Sequence, residues 1–354
     1  MSSAAAARAD LVEVIRAGQA PGIQYLAVAP ERTVFEYAGG WADIAGARPM
    51  DSATTMMAYS MSKTITAAAV LQLVETGKVK LDEPIDTYIS HPYGPGLTVR
   101  QLVSHTSGIP NPIPLRWVHC AALHESFDER AALSDVLTRH PRLSARPGAR
   151  YRYSNIGYWL LGRIVEQAAG DPFPSYVRKH VLQPLGAAPH ELGYEVVDPR
   201  RHAKGYLERY SLMNLVKRLV IAREFIGDRE GRWLHLNDHY LNGAAFGGLI
   251  GAARGFGRFL QDQLRPRSAL FTDATCRLFY EQQHTNGGSA IAMTLGWHIG
   301  ATRGARFFYK EGGGGGFHSM MRLYACAAVA TVVMTNATGF DVSRLLDRLD
   351  GRFL

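Results

Sequence analysis

The sequence predicts a fold of the α/β class, of the α+β type, in which an antiparallel sheet is built from both chain termini and flanked by helices. Strand-like segments occur near both ends of the chain, whereas helix-like segments dominate its middle. A short turn joins the first two strand-like segments, which favours antiparallel over parallel pairing. With 354 residues, 47% of them hydrophobic, the chain can bury a large core.

The N-terminal elements are a helix, a hairpin and a second helix. Residues 1–18 have the composition of an ordinary helix. Residues 23–29 and 33–37 are strand-like and flank a turn that contains Pro30. Residues 60–75 are apolar on nearly every side, which predicts a helix enclosed by other elements.

The middle of the chain, residues 81–242, is divided by prolines into short helices and loops. Amphipathic patterns predict helices over residues 158–169 and 211–225, and the aromatic segment 233–240 is expected to form a loop. Helix 211–225 and this loop are expected to line or cover a cleft, where they would form an apolar acyl pocket. A plain packing helix would show the same pattern.

The C-terminal part returns to strands. Residues 306–309, 320–324 and 327–335 are strand-like, and a run of five glycines at 312–316 separates the first two. Residues 342–349 are expected to form a closing helix.

These patterns divide the chain into two domains. Residues 1–80 and 243–354 together form the sheet domain. Residues 81–242 form a mainly helical inserted domain, whose segment 206–242 lines the cleft.

The composition argues against several functional classes. The formal net charge is +8, but the basic residues are scattered along the chain, so no nucleic-acid partner is predicted. The longest apolar runs are about half of the ~20 residues that a bilayer-spanning helix needs, so no membrane span is predicted. Three cysteines without CxxC spacing, and histidines without ligand spacing, argue against a disulfide framework and a metal site. Because the N-terminal segment lacks the pattern of a secretion signal, we expect a cytoplasmic protein.

Ser60 and Lys63 form the first candidate catalytic group. Positions three apart lie on one face of a helix, so the Ser60 hydroxyl and the Lys63 amine can meet. A serine becomes a nucleophile when a base takes its proton, and burial lowers the pKa of a lysine until it can serve as that base. The alternative is an N-capping serine followed by a lysine whose amine reaches solvent.

Tyr153 and Asn155 form the second candidate group, just before the helix at 158–169. A tyrosine near two lysines can act as a base because the cations stabilise its phenolate. The Asn155 amide can orient a lysine and a substrate carbonyl. The alternative is structural: Ser154 or Asn155 caps the helix and Tyr153 packs.

Lys310 belongs to the third candidate group. It ends a strand-like segment and is followed by Glu311 and the glycine run. Bare glycine backbone lets a substrate lie against the strand. The alternative is a flexible glycine turn, and a phosphate-binding loop fits poorly because no helix follows.

The three groups occur in an order and at separations typical of one superfamily. The motifs are Ser60-x-x-Lys63, Tyr153-x-Asn155 and Lys310-x-Gly312. Over roughly residues 20–340, the chain resembles the serine hydrolases related to class C β-lactamases, penicillin-binding D,D-peptidases and family VIII carboxylesterases.

The resemblance implies a role for each catalytic side chain. Ser60 would be the acylated nucleophile, and Lys63 would take or relay its proton. Tyr153 would act as general base and later return a proton to the leaving group. Either Lys63 or Tyr153 can be the base that acts first.

The resemblance also implies the surroundings of this centre. Asn155 would position the catalytic lysine and the acyl side chain, and Lys310 would polarise the tyrosine and attract a carboxylate. The backbone N–H groups of Ser60 and Gly313 would form the oxyanion hole. The residues expected to bind substrate are Gly312, Glu311, Phe317 and His318.

Glu311 departs from the pattern of these relatives, which have a small residue at that position. If its side chain faces the cleft, it would repel a carboxylate substrate and raise the pKa of Lys310; if strand alternation points it away, it is harmless. Lysine at position 310 is more typical of the peptidases and lactamases than of the esterases, many of which have histidine or tryptophan there.

We therefore expect a serine hydrolase that acts on a small ester or amide, without a metal or organic cofactor. The cytoplasmic character and the apolar insert favour a carboxylesterase over a β-lactamase, a D,D-peptidase or a D-aminopeptidase. An acyltransferase would use the same chemistry with an alcohol or amine in place of water. The alternative from another class is a non-catalytic binding protein that retains the cleft.

Overall fold

The computed structural model describes residues 2–114, 117–208, 222–302 and 304–354. The helices of this part are α1 (Ser3–Arg16), α2 (Ser62–Glu75), α3 (Val99–Val103), α4 (Glu129–Arg139), α5 (Asn155–Ala169), α6 (Phe173–Val177), α7 (Ala244–Gly247), α8 (Ala253–Leu264), α9 (Asp273–Tyr280) and α10 (Val342–Leu349). The strands are β1 (Gly22–Ala29), β2 (Arg32–Asp43), β3 (Arg48–Pro49), β4 (Met56–Met57), β5 (Val118–Cys120), β6 (Leu192–Gly193), β7 (Gly205–Glu208), β8 (Ile226–Glu230), β9 (Trp233–Leu236), β10 (His239–Leu241), β11 (Ile250–Gly251), β12 (His298–Thr302), β13 (Ala305–Gly314), β14 (Phe317–Tyr324), β15 (Val329–Thr335) and β16 (Ala337–Thr338).

A seven-stranded antiparallel sheet joins the two ends of the chain. Its order is β12-β13-β14-β15-β1-β2-β3. The N-terminal β1 pairs with the C-terminal β15, so that Ile23 lies opposite Thr335 and Val28 opposite Ala330. Both strands are buried along nearly their whole length, since helices cover both faces of the sheet. The predicted α+β fold, with a sheet assembled from both termini, is confirmed.

Helices pack on the two faces of this sheet. Alternate residues of β1 belong to different cores: Leu26 and Val28 face the core that contains α2 and α8, whereas Tyr25 and Ala27 face the core that contains α1 and α10. Helix α2 contacts α5, α6, α7 and α9 and is buried on nearly all sides, as its apolar sequence predicts. The N-terminus of α2 is thereby fixed deep inside the molecule.

The segment 81–242 contains more β structure than the sequence predicts. Strands β7, β8 and β9 join β16 in a four-stranded sheet of order β16-β7-β9-β8. The loop predicted over 233–240 is wrong, because β9 and the first residues of β10 lie there. Most of the helix predicted over 211–225 lies outside the described residues, and Arg223–Phe225 form one 3-10 turn. The domain boundaries stay a prediction.

Helix α5 ends where the sequence predicts but begins at Asn155, three residues before the predicted start at 158. The Ser154 side chain accepts a hydrogen bond from the Gly157 N–H at 3.0 Å and so caps the helix. The helix ends at Gly170, whose φ of 70° is in the left-handed region that favours glycine. Tyr153 therefore stands on the extended segment just before the first helical turn.

Three of the five glycines form strand, so the connection between the two strands is shorter than the sequence predicts. The first three glycines continue β13 as far as Gly314, and the last two connect it to β14. The backbone of this segment is therefore held by pairing with β14.

None of the helices in the described residues is long and apolar enough to cross a membrane.

Candidate active site

Ser60 and Lys63 meet at the N-terminus of α2. A 3-10 turn, Tyr59–Met61, leads directly into α2, so both side chains lie on one helical segment. Lys63 Nζ donates hydrogen bonds to Ser60 Oγ at 3.0 Å and to the Phe246 carbonyl oxygen at 2.5 Å. The Lys63 side chain is completely buried, so its amine does not reach solvent as the structural alternative requires.

Tyr153 makes a second contact to Ser60. Its hydroxyl donates a hydrogen bond to Ser60 Oγ at 2.7 Å. Burial raises the pKa of the Tyr153 phenol above its ordinary value, although the hydrogen bond to Ser60 lowers it. The phenol therefore keeps its proton and faces the serine as a donor.

Asn155 reaches the site but does not hold the lysine. It is the first residue of α5, and it lines the same cavity as Ser60. Its side-chain oxygen is buried and has no hydrogen-bond partner among the described residues, and no bond joins it to Lys63 there. The Phe246 carbonyl takes the place beside the lysine that the resemblance gives to the amide. A backbone carbonyl has no sequence signal, so Phe246 was not predicted.

Lys310 brings a second amine to the ring of Tyr153. The Lys310 side chain, on β13, is completely buried, and its Nζ has no hydrogen-bond partner in the described part of the chain. The Nζ atoms of Lys310 and Lys63 lie 5.2 and 5.0 Å from the centre of the Tyr153 ring. Burial lowers the pKa of Lys310 to about 7. Burial, with the charge of Lys310, holds the pKa of Lys63 well below its ordinary range.

The ring of His105 packs against the ring of Tyr153. The His105 ring is completely buried and lies 4.3 Å from the Tyr153 ring, centre to centre. Its Nδ1 accepts a hydrogen bond from the Ser154 N–H at 3.2 Å, and its carbonyl oxygen accepts one from the Arg152 N–H at 2.7 Å. Burial and the two nearby lysines hold the pKa of His105 well below its ordinary value. The neutral ring therefore fixes the segment that carries the phenol.

The glycines of β13 pack against the chain that precedes the serine. A Cβ on Gly312 would collide with the Ala58 carbonyl oxygen and lie 2.9 Å from Ser60 N. A Cβ on Gly314 would collide with the ring of Tyr59. Position 312 needs glycine because the strand approaches the backbone of the serine segment, and position 314 needs it because the Tyr59 ring packs against the strand. Gly312 thus contacts protein backbone, and Gly313 is the glycine between them that lines the cavity with Ser60.

Two of the residues expected to bind substrate are placed differently. Phe317 is 3% exposed and packs in the core, so it does not reach the cleft, and that prediction is wrong. Glu311 alternates with the inward Lys310 and is exposed, and its Oε1 lies 2.7 Å from His318 Nε2. The ring of His318 lies over Gly313, where a Cβ would come within 3.1 Å of it.

An apolar cavity of about 170 Å³ opens beside Ser60. The side chains that form its walls are mostly apolar. They are Tyr59, Pro114, Val118, Asn155, Phe225, Leu236, His239, Leu241 and Phe246, with the glycines 247 and 313–315. The cavity is therefore suited to an uncharged group next to the serine.

Tyr59 is a site residue that the sequence did not indicate. Its φ of 45° is in the left-handed region, which a tyrosine rarely adopts. Its hydroxyl donates a hydrogen bond to the Gly315 carbonyl oxygen at 2.7 Å and lies 3.1 Å from His239 Nε2. These contacts hold the strained backbone that turns Ser60 toward the cavity.

Comparisons with known proteins agree with this architecture. A Beta-lactamase family model matches residues 8–352. Penicillin-binding protein 4* of Bacillus subtilis (strain 168) is 24% identical over 310 residues, which are 86% of this chain and 65% of that protein. Esterase EstB of Burkholderia gladioli is 29% identical over 223 residues, 57% of this chain and 54% of that protein. The matches thus span less than two thirds of the length of these curated relatives.

A solved structure shares the fold over its whole length. The D-amino acid amidase from Ochrobactrum anthropi SV3, in complex with D-phenylalanine, superposes with a TM-score of 0.81 at 21% identity. The match covers 99% of this chain and 99% of that chain. At this identity, the likeness shows the fold.

Proposed function

The chain belongs to the Beta-lactamase family, within the serine hydrolase superfamily, and from this premise we propose that it forms an acyl-enzyme on Ser60 and hydrolyses small carboxylic esters. One observation carries the proposal. Ser60 Oγ lies within hydrogen-bond distance of Lys63 Nζ, at 3.0 Å, and of the Tyr153 hydroxyl, at 2.7 Å. A base and a proton donor therefore flank one hydroxyl that also borders a cavity.

In acylation, the neutral Lys63 amine takes the Ser60 proton while Oγ forms a bond to the acyl carbon of the ester. The N–H groups of Ser60 and Gly313 stabilise the negative charge on the former carbonyl oxygen. The bond to the alcohol oxygen then breaks, and Tyr153 gives that oxygen a proton. The Lys63 ammonium restores the proton to Tyr153, so the released alcohol and the acyl-enzyme are both neutral.

Deacylation uses the same groups with water in place of the alcohol. Lys63 takes a proton from the attacking water, whose oxygen bonds to the acyl carbon. The bond to Ser60 Oγ breaks, and the Lys63 ammonium gives its proton to Oγ as the carboxylic acid leaves. This assignment makes Lys63 the base in both halves, because burial and the charge of Lys310 lower the pKa of Lys63 whereas burial raises that of Tyr153.

The lining of the cavity supports an ester over a charged amide. No lysine or arginine is among the described residues that line it, so none there pairs with a substrate carboxylate. Esterase EstB, a relative, bears the name of an ester hydrolase. The second candidate is hydrolysis of a β-lactam or a D-amino acid amide or peptide, which is favoured by the lysine at position 310 and by the penicillin-binding and amidase relatives.

A fluorophosphonate probe tests the nucleophile. We expect one adduct, mapped by mass spectrometry to the peptide that contains Ser60, and none in Ser60→Ala. A folded protein without an adduct would favour the binding-protein alternative. The rates on p-nitrophenyl butyrate and on a chromogenic cephalosporin then rank the two substrate classes, and a higher kcat/KM for the cephalosporin would reverse our order. An excess of ester product when an alcohol acceptor is added would indicate an acyltransferase.

A further inference from the structure

Glu311 has no part in the proposed mechanism, yet it stands at the rim of the site. Pairing between β12 and β13 ends at His298 and Tyr309, so from Lys310 onward β13 is a free edge among the described residues. The Glu311 side chain is 44% exposed on this edge. Its Oε1 contacts His318, and no lysine or arginine of the described residues pairs with it. The carboxylate is therefore available to a ligand.

Three aromatic side chains in contact with one another extend from the strand that carries this carboxylate. Tyr309 lies on the same strand face as Glu311, two residues earlier, and its ring stacks on His298 with the centres 5.0 Å apart. His298 Nε2 lies 3.0 Å from the Tyr151 hydroxyl, and Tyr151 is 38% exposed. Burial and the neighbouring lysines lower the pKa of His298 to about 2, so its ring adds no positive charge. We call Glu311, Tyr309, His298 and Tyr151 the acidic–aromatic rim.

The rim lies on the side of the site that holds the proton donor. Glu311 directly follows Lys310, whose Nζ lies 5.2 Å from the centre of the Tyr153 ring. The Tyr151 ring lies 6.0 Å from the ring of His105, which itself lies 4.3 Å from the Tyr153 ring. In the proposed mechanism Tyr153 protonates the departing alcohol oxygen. The alcohol part of the ester must therefore leave on this side, while the apolar cavity beside Tyr59 remains for the acyl part.

We infer that the acidic–aromatic rim binds a positively charged group, a primary or quaternary ammonium, on the alcohol part of the substrate. A carboxylate attracts an ammonium, and the faces of tyrosine rings attract it further. The same carboxylate repels an anionic leaving group. Esters that carry a carboxylate on the alcohol part are therefore expected to be poor substrates. The inference rests on the proposed ester hydrolysis and adds the class of alcohol.

Two esters of equal shape test the rim. Butyrylcholine and 3,3-dimethylbutyl butyrate share the acyl group and differ in the charge of the alcohol part. We expect the ratio of their kcat/KM values, cationic over neutral, to fall about fivefold to tenfold in Glu311→Gln relative to the wild type. Dividing the ratio for the variant by the ratio for the wild type cancels the difference in intrinsic reactivity between the two esters. The control Glu13→Gln removes an exposed carboxylate on α1 and is expected to leave the ratio unchanged.

The outcomes separate the two proposals. Equal ratios in the wild type and Glu311→Gln, or an equal fall in Glu13→Gln, would overturn the rim inference while ester hydrolysis stands. If neither ester is hydrolysed, the proposed function fails, and the rim is tested by calorimetric binding of phenyltrimethylammonium. We expect this cation to bind about fivefold or more weakly to Glu311→Gln than to the wild type, and equal binding would again overturn the inference.

Discussion

The amines of Lys63 and Lys310 lie 5.0 and 5.2 Å from the centre of one phenol ring, that of Tyr153. Both side chains are completely buried, so water does not screen the repulsion between their charges. The repulsion between the two ammonium charges disappears when one amine gives up its proton. In the proposed mechanism, this relationship lets Lys63 act as the base beside Ser60, and it makes Lys310 the group that tunes the pKa of Lys63.

The pH dependence of acylation tests this coupling. The charge of Lys310 contributes to lowering the pKa of Lys63, so Lys310→Met raises that pKa toward its ordinary value. Because Lys63 acts as a base only when unprotonated, the acidic limb of the kcat/KM profile is expected to move to higher pH. The limb is measured as kcat/KM for ester hydrolysis from about pH 5 to about pH 10. Where turnover is too slow to follow, the rate of fluorophosphonate labelling over the same pH range is measured instead. A limb that stays in place would show that Lys310 does not tune Lys63.

The stability of the protein is expected to depend on pH through Lys310. Burial lowers the pKa of Lys310 from its ordinary value to about 7. Between about pH 7 and the ordinary lysine pKa, the unfolded chain holds a proton here that the folded chain lacks, so stability rises with pH across this window. Below about pH 7 both states are protonated, and the destabilisation is fully present. Lys310→Met removes it, on the order of 1.4 kcal/mol per unit of pKa shift.

Urea unfolding near pH 7 and near pH 10 measures this gain. We expect Lys310→Met to be more stable than the wild type near pH 7 and the difference to shrink near pH 10. Lys78→Met, at an exposed lysine, is the control and is expected to show little change at either pH. A loss of stability in Lys310→Met near pH 7 would contradict the assignment of an unpaired, destabilising amine.

Short-range geometry was the part of the site that the sequence could predict. The spacing of Ser60 and Lys63 specifies a contact because the helix itself fixes which positions share a face. The approach of Tyr153 and Lys310 depends on long-range packing, which spacing does not encode, and it was expected through the resemblance of the motifs. The position of Glu311 followed from strand alternation once the strand was known to continue through the glycines.

Backbone contributions were invisible in the sequence. Neighbouring elements, and not residue type, place the Phe246 carbonyl beside Lys63. They also hold the left-handed φ of Tyr59. Phe317 was expected at the cleft because it follows the glycines, but its ring turns into the core beside Gly205. The strand β9 was missed because it is short and its first two residues, Trp233 and Leu234, are both apolar, which breaks a simple alternation of apolar and polar residues.

The phenol of Tyr153 is expected to matter for chemistry more than for folding. Tyr153→Phe keeps the ring and removes the hydroxyl that donates to Ser60 Oγ. We expect kcat to fall by about a hundredfold or more, because proton delivery to the leaving group is lost. Tyr158→Phe is the matched control: its hydroxyl donates to the Val103 carbonyl oxygen, and its ring lies near the same two lysines. It is expected to lose about 1 kcal/mol of stability and little activity. Equal losses of kcat in the two variants would contradict the role of Tyr153.

The glycine at position 312 is expected to be required for the fit between β13 and the serine segment. Gly312→Ala places a methyl group against the Ala58 carbonyl oxygen and beside Ser60 N, where only backbone would have to move. We expect a loss of about 1–3 kcal/mol together with a large fall in the rate of acylation. In Gly313→Ala the methyl group meets the edge of the His318 ring at 3.1 Å, which a rotation of that side chain can relieve. Thermal unfolding of both variants is expected to show the larger loss for Gly312→Ala, and the reverse order would contradict the packing argument.

The cavity beside Ser60 is expected to set the length of the acyl chain. Its volume of about 170 Å³ is close to that of an engineered cavity, about 150 Å³, that accepts benzene, so acyl groups of roughly six carbons fit. Leu236 lines the cavity, and Leu236→Ala opens space in which a longer chain is buried. Each further buried methylene is expected to raise kcat/KM for the longer p-nitrophenyl esters about fourfold, relative to the butyrate.

The control for this prediction is Leu234→Ala. Leu234 belongs to the same strand and the same small core cluster but does not line the cavity. Both variants lose about 2–5 kcal/mol of stability, but only Leu236→Ala is expected to shift the preferred chain length. An equal shift in both, or none in either, would mean that the acyl group lies elsewhere.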